Sequence, residues 1–163
     1  AAFEDFDWRL SAAHVACDGP FSRFPGVDRT LGVTSGSRMT LAMPDRSDLT
    51  LTPRSLPLEF SGELAIEAKL LNGPVDDLNV MTRRGRFGHH MAVQRCVHPL
   101  DLKRDAGLLI VSARDANADL ETTTSRHVLR AGDFAILDEN DGATLRIVPE
   151  CEAVLYVIKL WRV

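Results

Sequence analysis

The feature that most constrains this chain is the polarity rhythm between its scattered prolines and glycines, which has a period of two rather than 3.6. It is clearest over 63–71. Leu64, Ile66, Ala68 and Leu70 fall on one side, and Glu63, Ala65, Glu67 and Lys69 on the other. Successive side chains of a strand point to opposite faces, so this pattern predicts a half-buried strand. A helix is the competing reading there, because Glu, Ala, Leu and Lys are helix formers. The rhythm predicts further strands over 8–15, 29–34, 38–43, 49–51, 58–60, 78–84, 89–97, 107–113, 119–128, 133–137, 144–148 and 153–161. A hairpin is expected around Ser35-Gly36-Ser37, a turn at Asn72-Gly73-Pro74 and a tight turn at Asp141-Gly142. Between Asp18 and Gly26, Gly19, Pro20, Pro25 and Gly26 exclude a regular element. Many short strands separated by turn signals point to an all-β sandwich or barrel.

The chain has 163 residues, enough for one domain over 1–163 with a core that needs no disulfide or metal staple. Nineteen Lys and Arg against 23 Asp and Glu leave a net charge of −4. That sign argues against binding a nucleic-acid backbone, since the field that drives counterion release is lacking. No apolar run approaches the roughly 20 residues that cross a bilayer, so no membrane partner is expected. Cys17, Cys96 and Cys151 are odd in number and lack CxxC spacing, which argues against a disulfide framework or a cysteine zinc site. A reducing, cytoplasmic setting fits this usage.

Several chemistries are missing from the motifs. No GxxxxGK[ST] or GxGxxG occurs, and in Gly32-Val33-Thr34-Ser35-Gly36 the serine sits one place late for a nucleophile elbow. Asp138-Glu139-Asn140-Asp141-Gly142 is one residue too short before its glycine for a calcium loop and reads as a solvated hairpin turn. His89 and His90 are neighbours, and neighbours on a strand face opposite ways, so the pair is poorly placed to ligate one ion. No metal and no cofactor is expected. Arg83-Arg84-Gly85-Arg86 is the densest cluster of positive charge. Without interleaved aromatic residues it reads as a strand end running into a polar turn, or as the source of one inward arginine that receives an anion.

Three segments form a recognisable set: Trp8-Arg9-Leu10-Ser11; Gly19-Pro20-Phe21-Ser22-Arg23-Phe24-Pro25-Gly26-Val27-Asp28-Arg29-Thr30-Leu31; and Gly73-Pro74-Val75-Asp76-Asp77-Leu78-Asn79-Val80-Met81-Thr82-Arg83-Arg84-Gly85. Together they resemble the HutD/Ves family of bacterial cupin-like proteins. The likeness is densest in the first half. In the second half it rests on strand-and-turn rhythm, including Leu129-Arg130-Ala131-Gly132-Asp133. The resemblance implies a cupin-like antiparallel β-barrel or double sheet, an RmlC-like jelly roll, with a duplicated bicupin as its variant. It also implies association with bacterial histidine utilisation and binding of a small acidic intermediate, without an established enzymatic activity. Ves-type relatives are linked to environmental stress. Members of the family carry an upstream Trp-Lys-Asn-Gly-Gly-Gly-like segment. This chain starts Ala1-Ala2-Phe3, so that segment is expected to be missing here.

On the strand over 78–84, Asn79, Met81 and Arg83 share a face, and the resemblance centres on this Asn-x-Met-x-Arg set. An amide, a soft apolar wall and a fixed cation suit a cavity lining. An arginine fork holds a carboxylate through parallel hydrogen bonds. Buried without an anion it is costly, so its partner should be a carboxylate ligand or a protein acid such as Asp28 or Asp77. Arg29, Asn79, Met81, Arg83 and Phe24 are therefore the expected ligand-binding residues, with no catalytic residue assigned. Phe21 and Phe24 are also expected to plug the core. The expected guest is a small carboxylate, urocanate or a formylglutamate-like intermediate, bound by a non-catalytic modulator of histidine utilisation. Two other functions compete. One is a cupin-type isomerase, lyase or hydrolase using His89 or His90 as general base. The other is an interaction module that exposes an edge strand to a protein partner. Separately from these functions, a homodimer is an expected assembly.

Overall fold

The computed structural model describes residues 6–44, 46–105 and 107–163. It contains strands β1 (Trp8–Val15), β2 (Gly19–Pro20), β3 (Val27–Ala42), β4 (Leu49–Leu51), β5 (Leu58–Ser61), β6 (Glu67–Arg83), β7 (Phe87–Cys96), β8 (Leu100–Lys103), β9 (Leu108–Ala113), β10 (Ala118–Glu121), β11 (Arg126–Leu129), β12 (Phe134–Leu137), β13 (Thr144–Pro149) and β14 (Ala153–Arg162). Among the described residues no helix is long and apolar enough to cross a membrane. The chain divides into two compact units, Ala1–Gly88 with Val163, and His89–Arg162.

The first unit holds one antiparallel sheet in the order β1-β6-β3-β4, with β2 added to β6 and β5 to β3. Its frame is the pairing of two long strands, β3 and β6, and this corrects two expectations. The hairpin around Ser35-Gly36-Ser37 and the turn at Asn72-Gly73-Pro74 do not reverse the chain. Both are irregularities inside strands that continue through them. Gly36 pairs with Val75 and Arg38 with Leu71, so Asn72, Gly73 and Pro74 span what Ser37 alone spans opposite them. Asn72 and Gly73 adopt positive φ, 70° and 109°, which kinks β6 without turning it back. Gly36, at φ 88°, is needed for a second reason: a Cβ there would lie 2.4 Å from the Pro74 carbonyl oxygen.

The 63–71 alternation holds as strand only from Glu67 onward, with Ile66 and Ala68 buried and Glu67 and Lys69 exposed. Leu31, Val33, Met39, Leu41, Phe60, Ile66, Ala68 and Val75 gather into one apolar cluster. Burying such side chains contributes on the order of 1.5–3 kcal/mol each.

The second unit contains two four-stranded sheets, β11-β10-β13-β8 and β12-β9-β14-β7. Leu120, Leu145 and Ile147 from one and Leu109, Val111 and Leu155 from the other share a core. The expected single strand over 119–128 is a hairpin, β10 to β11. Its turn is closed by Thr122, whose Oγ1 accepts from the Ser125 amide at 3.0 Å. The tight hairpin at Asp141-Gly142 is also corrected. β12 pairs with β9 while β13 pairs with β10 and β8, so the connection links different sheets. It is a short 3-10 turn, Glu139–Asp141, capped by Asp138, whose carboxylate accepts from the Asn140 amide at 2.8 Å.

Candidate functional site

Register in the first unit assembles the site row by row. Across β1, β6, β3 and β5, Arg9 stands opposite Met81, Met81 opposite Arg29, and Arg29 opposite Phe60. One step along, Ser11, Asn79 and Leu31 form the next row. A further step brings Ala13, Asp77 and Val33 together. Period two places these rows on one face. Over that face lies a cavity of about 440 Å³, lined by Arg9, Arg29, Asp77, Asn79 and Met81 and walled by Phe21 and Phe24 from the 18–26 loop.

The loop is held where it is by backbone pairing. Phe21 N donates to Ile66 O at 2.9 Å and Phe24 N to Gly62 O at 2.8 Å. Gly62 has no room for a side chain, since a Cβ would lie 2.7 Å from the Phe24 carbonyl oxygen. These two hydrogen bonds and the close approach at Gly62 fix two aromatic walls over the strand face.

Arg29 is the central cation. It is 6% exposed. Its Nη2 donates to Asn79 Oδ1 at 2.8 Å and its Nη1 to the Ser22 carbonyl at 3.0 Å. Asn79 in turn donates through Nδ2 to Asp77 Oδ1 at 2.6 Å. The guanidinium carbon lies 5.0 Å from the Phe60 ring centre, 5.3 Å from Phe21 and 5.5 Å from Phe24. Each ring face attracts the cation by about 0.5–2 kcal/mol. Rings do not satisfy a donor, however, and Arg29 Nε is buried with no hydrogen-bond partner. Leaving such a donor unmade costs on the order of 1–3 kcal/mol, more when it is charged.

Burial also shapes the charges. Desolvation pulls the Arg29 guanidinium down to about 10, against the opposing pull of Asp77, and Arg9 adds a further lowering. Arg29 thus stays charged at neutral pH. Desolvation pushes the Asp77 carboxyl up to about 6, with Asn79 and Arg29 pulling the other way. At the rim, His14 Nδ1 lies 2.6 Å from Asp76 Oδ1, and Ser35 Oγ donates to Asp76 Oδ2 at 2.5 Å. The Ser35 hydrogen bond, then the His14 contact, hold the Asp76 carboxyl below its ordinary range.

Of the residues expected from sequence, the structure brings Arg29, Asn79, Met81 and Phe24 to one cavity. Arg83 is the correction. It shares the Asn79 and Met81 face but sits at the strand end and does not line the cavity. Its Nη1 donates to the Pro25 carbonyl at 3.2 Å and its guanidinium lies 5.7 Å from the Phe6 ring centre. The inward fork belongs to Arg29, which stands one row in from the strand end between Met81 of β6 and Phe60 of β5, whereas Arg83 ends β6. The neighbouring Arg84 clamps Asp28, at 2.7 Å, and Glu63. The Ser61 hydroxyl, the Gly26 amide and Arg84 hold the Glu63 carboxyl down to about 2.

His89 and His90, in β7, are not among the residues lining this cavity. Among the described residues no group of three or more His, Cys, Asp or Glu gathers in a metal-holding set. Arg9, Ser11 and His14 join the cavity lining, and Phe60 stacks on Arg29, without a signal in the sequence that points to them. Arg9 was legible only through register, since nothing in Trp8-Arg9-Leu10-Ser11 shows which strand it will oppose.

This all-β architecture is cupin-like. A cupin 2 conserved barrel domain protein from Leptotrichia buccalis superposes on it with a TM-score of 0.64 at 10% identity, over 96% of this chain and 84% of that chain. HutD from Pseudomonas fluorescens SBW25 does so with a TM-score of 0.80 at 24% identity, over 100% of this chain and 83% of that one. A conserved protein of unknown function from Pseudomonas aeruginosa PAO1 reaches a TM-score of 0.90 at 25% identity, over 100% and 86%. The family model described as HutD matches residues 1–155, and the chain belongs to the HutD family.

Proposed function

We propose that this chain is a non-catalytic receptor for a small carboxylate, serving as a modulator of histidine utilisation. The guest occupies the cavity over Arg29, Asn79 and Met81, with Phe24 as an apolar wall. The observation that carries this reading is Arg29 itself, a buried cation that lines an open cavity and whose hydrogen bonding is incomplete, with Nε unpartnered and one contact made by each Nη. A carboxylate completes its coordination, and charge-assisted pairing of this kind is about twice as strong as neutral hydrogen bonding. Two guanidiniums, Arg9 and Arg29, flank Met81 on the floor; of the two carboxylates in the lining, Asp18 is engaged by the Leu70 amide and Asp77 is one whose charge burial already weakens. An anion improves that balance; a cation worsens it. Family membership supports urocanate and a formylglutamate-like intermediate as guests.

Titration calorimetry with N-formylglutamate and with urocanate tests the proposal. Saturable binding that falls on the order of 10- to 100-fold in Arg29→Met is expected, from the loss of one charge-assisted contact. Absence of saturable heat with both compounds, or equal affinity in the variant, contradicts it.

A further inference from the structure

The floor of the cavity contains a second buried ionisable group, and its placement bears on how an anion enters. Asp77 is 2% exposed, lines the cavity, and reaches Arg29 through the two ends of the Asn79 amide. The amide orientation is set by both neighbours. Its oxygen must face the donor-only guanidinium, which leaves its nitrogen to face Asp77. The elements around Asp77 carry the following charged groups, of which Arg29 and Asp76 act on it directly. β3 supplies Arg29 and β1 supplies Arg9, with His14 at the rim already paired to Asp76. β6 itself supplies Asp76, and the 18–26 loop supplies Asp18, whose Oδ1 accepts from the Leu70 amide at 2.7 Å.

A guest carboxylate on Arg29 would share this floor with the Asp77 carboxylate. Two carboxylates beside one cation, one of them buried, cannot both stay ionised cheaply, and one takes a proton. The guest, bonded to the guanidinium, is the better-stabilised anion. Asp77 has only the Asn79 amide between it and the cation.

We propose that the cavity takes up its anionic guest together with one proton, and that Asp77 is the residue that binds this proton. Resting on the carboxylate-receptor reading, this assigns Asp77 as the group that sets the pH dependence of the site. Protonated Asp77 carries no charge against the guest and becomes a hydrogen-bond donor lining the cavity. Burial already brings its carboxyl up to about 6 before any guest arrives, so the proton is accessible near neutrality.

The probe is N-formylglutamate, whose carboxylates stay ionised from about pH 6 to 8, being ordinary carboxyls with pKa values near 4. Calorimetry in two buffers of different ionisation enthalpy reads the protons taken up per guest bound. The full chain should take up close to one proton at about pH 7, and affinity should fall on the order of tenfold or more between about pH 6 and 8. Asp77→Asn, neutral at every pH, should lose the buffer dependence of the heat. Binding by the parent chain with identical heat in both buffers overturns the proton uptake and leaves the receptor reading standing. Uptake that persists in Asp77→Asn overturns the assignment to Asp77. No saturable heat in the parent at any pH overturns the receptor reading, and this inference with it.

Discussion

Arg29 and Asn79 are not opposite one another in the sheet. Arg29 stands opposite Met81 and Asn79 opposite Leu31, and the guanidinium reaches diagonally to Asn79 Oδ1 at 2.8 Å. That diagonal turns one guanidinium nitrogen toward the strand floor, and Nε is buried without a partner. The arrangement serves a ligand better than it serves stability. A cation this deep is offset by three aromatic faces, one amide and one carbonyl, yet remains incompletely bonded.

Arg29→Lys is therefore expected to weaken carboxylate binding substantially although charge is conserved. Lysine offers a point charge where the floor is built for a planar fork. A loss on the order of tenfold or more, read by calorimetry, is the expected result, and parent-like affinity would show that the site needs charge alone.

Arg83→Ala separates the two arginines. Because the Arg83 guanidinium is turned to the Pro25 carbonyl and the Phe6 ring, its removal is expected to cost stability, about 1 kcal/mol, while changing carboxylate affinity less than threefold. Denaturant unfolding and calorimetry on the same preparation distinguish the effects. A large affinity loss with unchanged stability would return Arg83 to the cavity.

Asp77 also makes a prediction about folding. Its folded-state value, about 6, lies above its ordinary value of 3.8. The folded chain then binds more protons between those limits. The stability contributed by Asp77 is complete below about pH 4 and is lost as pH rises through about 6. The stability of Asp77→Asn relative to the parent should thus increase from about pH 4 to pH 7, by up to about 3 kcal/mol. Urea unfolding at a series of pH values checks this; a difference that stays flat or runs the other way would contradict the burial argument.

Gly36→Ala tests the bent pair of long strands. Positive φ and a Cβ 2.4 Å from the Pro74 carbonyl oxygen both oppose a side chain there. Destabilisation of about 2 kcal/mol or more is expected from thermal or denaturant unfolding. A neutral substitution would mean that β3 and β6 do not run continuously past this point.

Much of the strand content was legible because polarity alternation survives wherever one face is exposed, as at Glu67, Ala68 and Lys69. It fails where both faces are covered. Leu78, Val80 and Thr82 are buried along with Asp77, Asn79 and Met81, so polarity alone left the inward face open. Gly36 and Asn72-Gly73 carry the composition of reversing turns but act as bulges, a distinction made by the partner strand rather than by local residues. The four-residue turn from Thr122 to Ser125 was hidden by β-branched threonines, which look like strand until their hydroxyls close a turn. Asn79, Met81 and Phe24 were readable from the family motif. Choosing between Arg29 and Arg83 required knowing where β6 ends.

The central claim is that the Arg29 guanidinium receives a carboxylate, and nitrogen-15 NMR of the arginine side chains tests it most directly. The Nε–H resonance of Arg29, assigned by its disappearance in Arg29→Lys, should shift saturably on addition of N-formylglutamate, in step with the calorimetric binding curve. Saturable binding by calorimetry while that resonance stays in place would contradict the account.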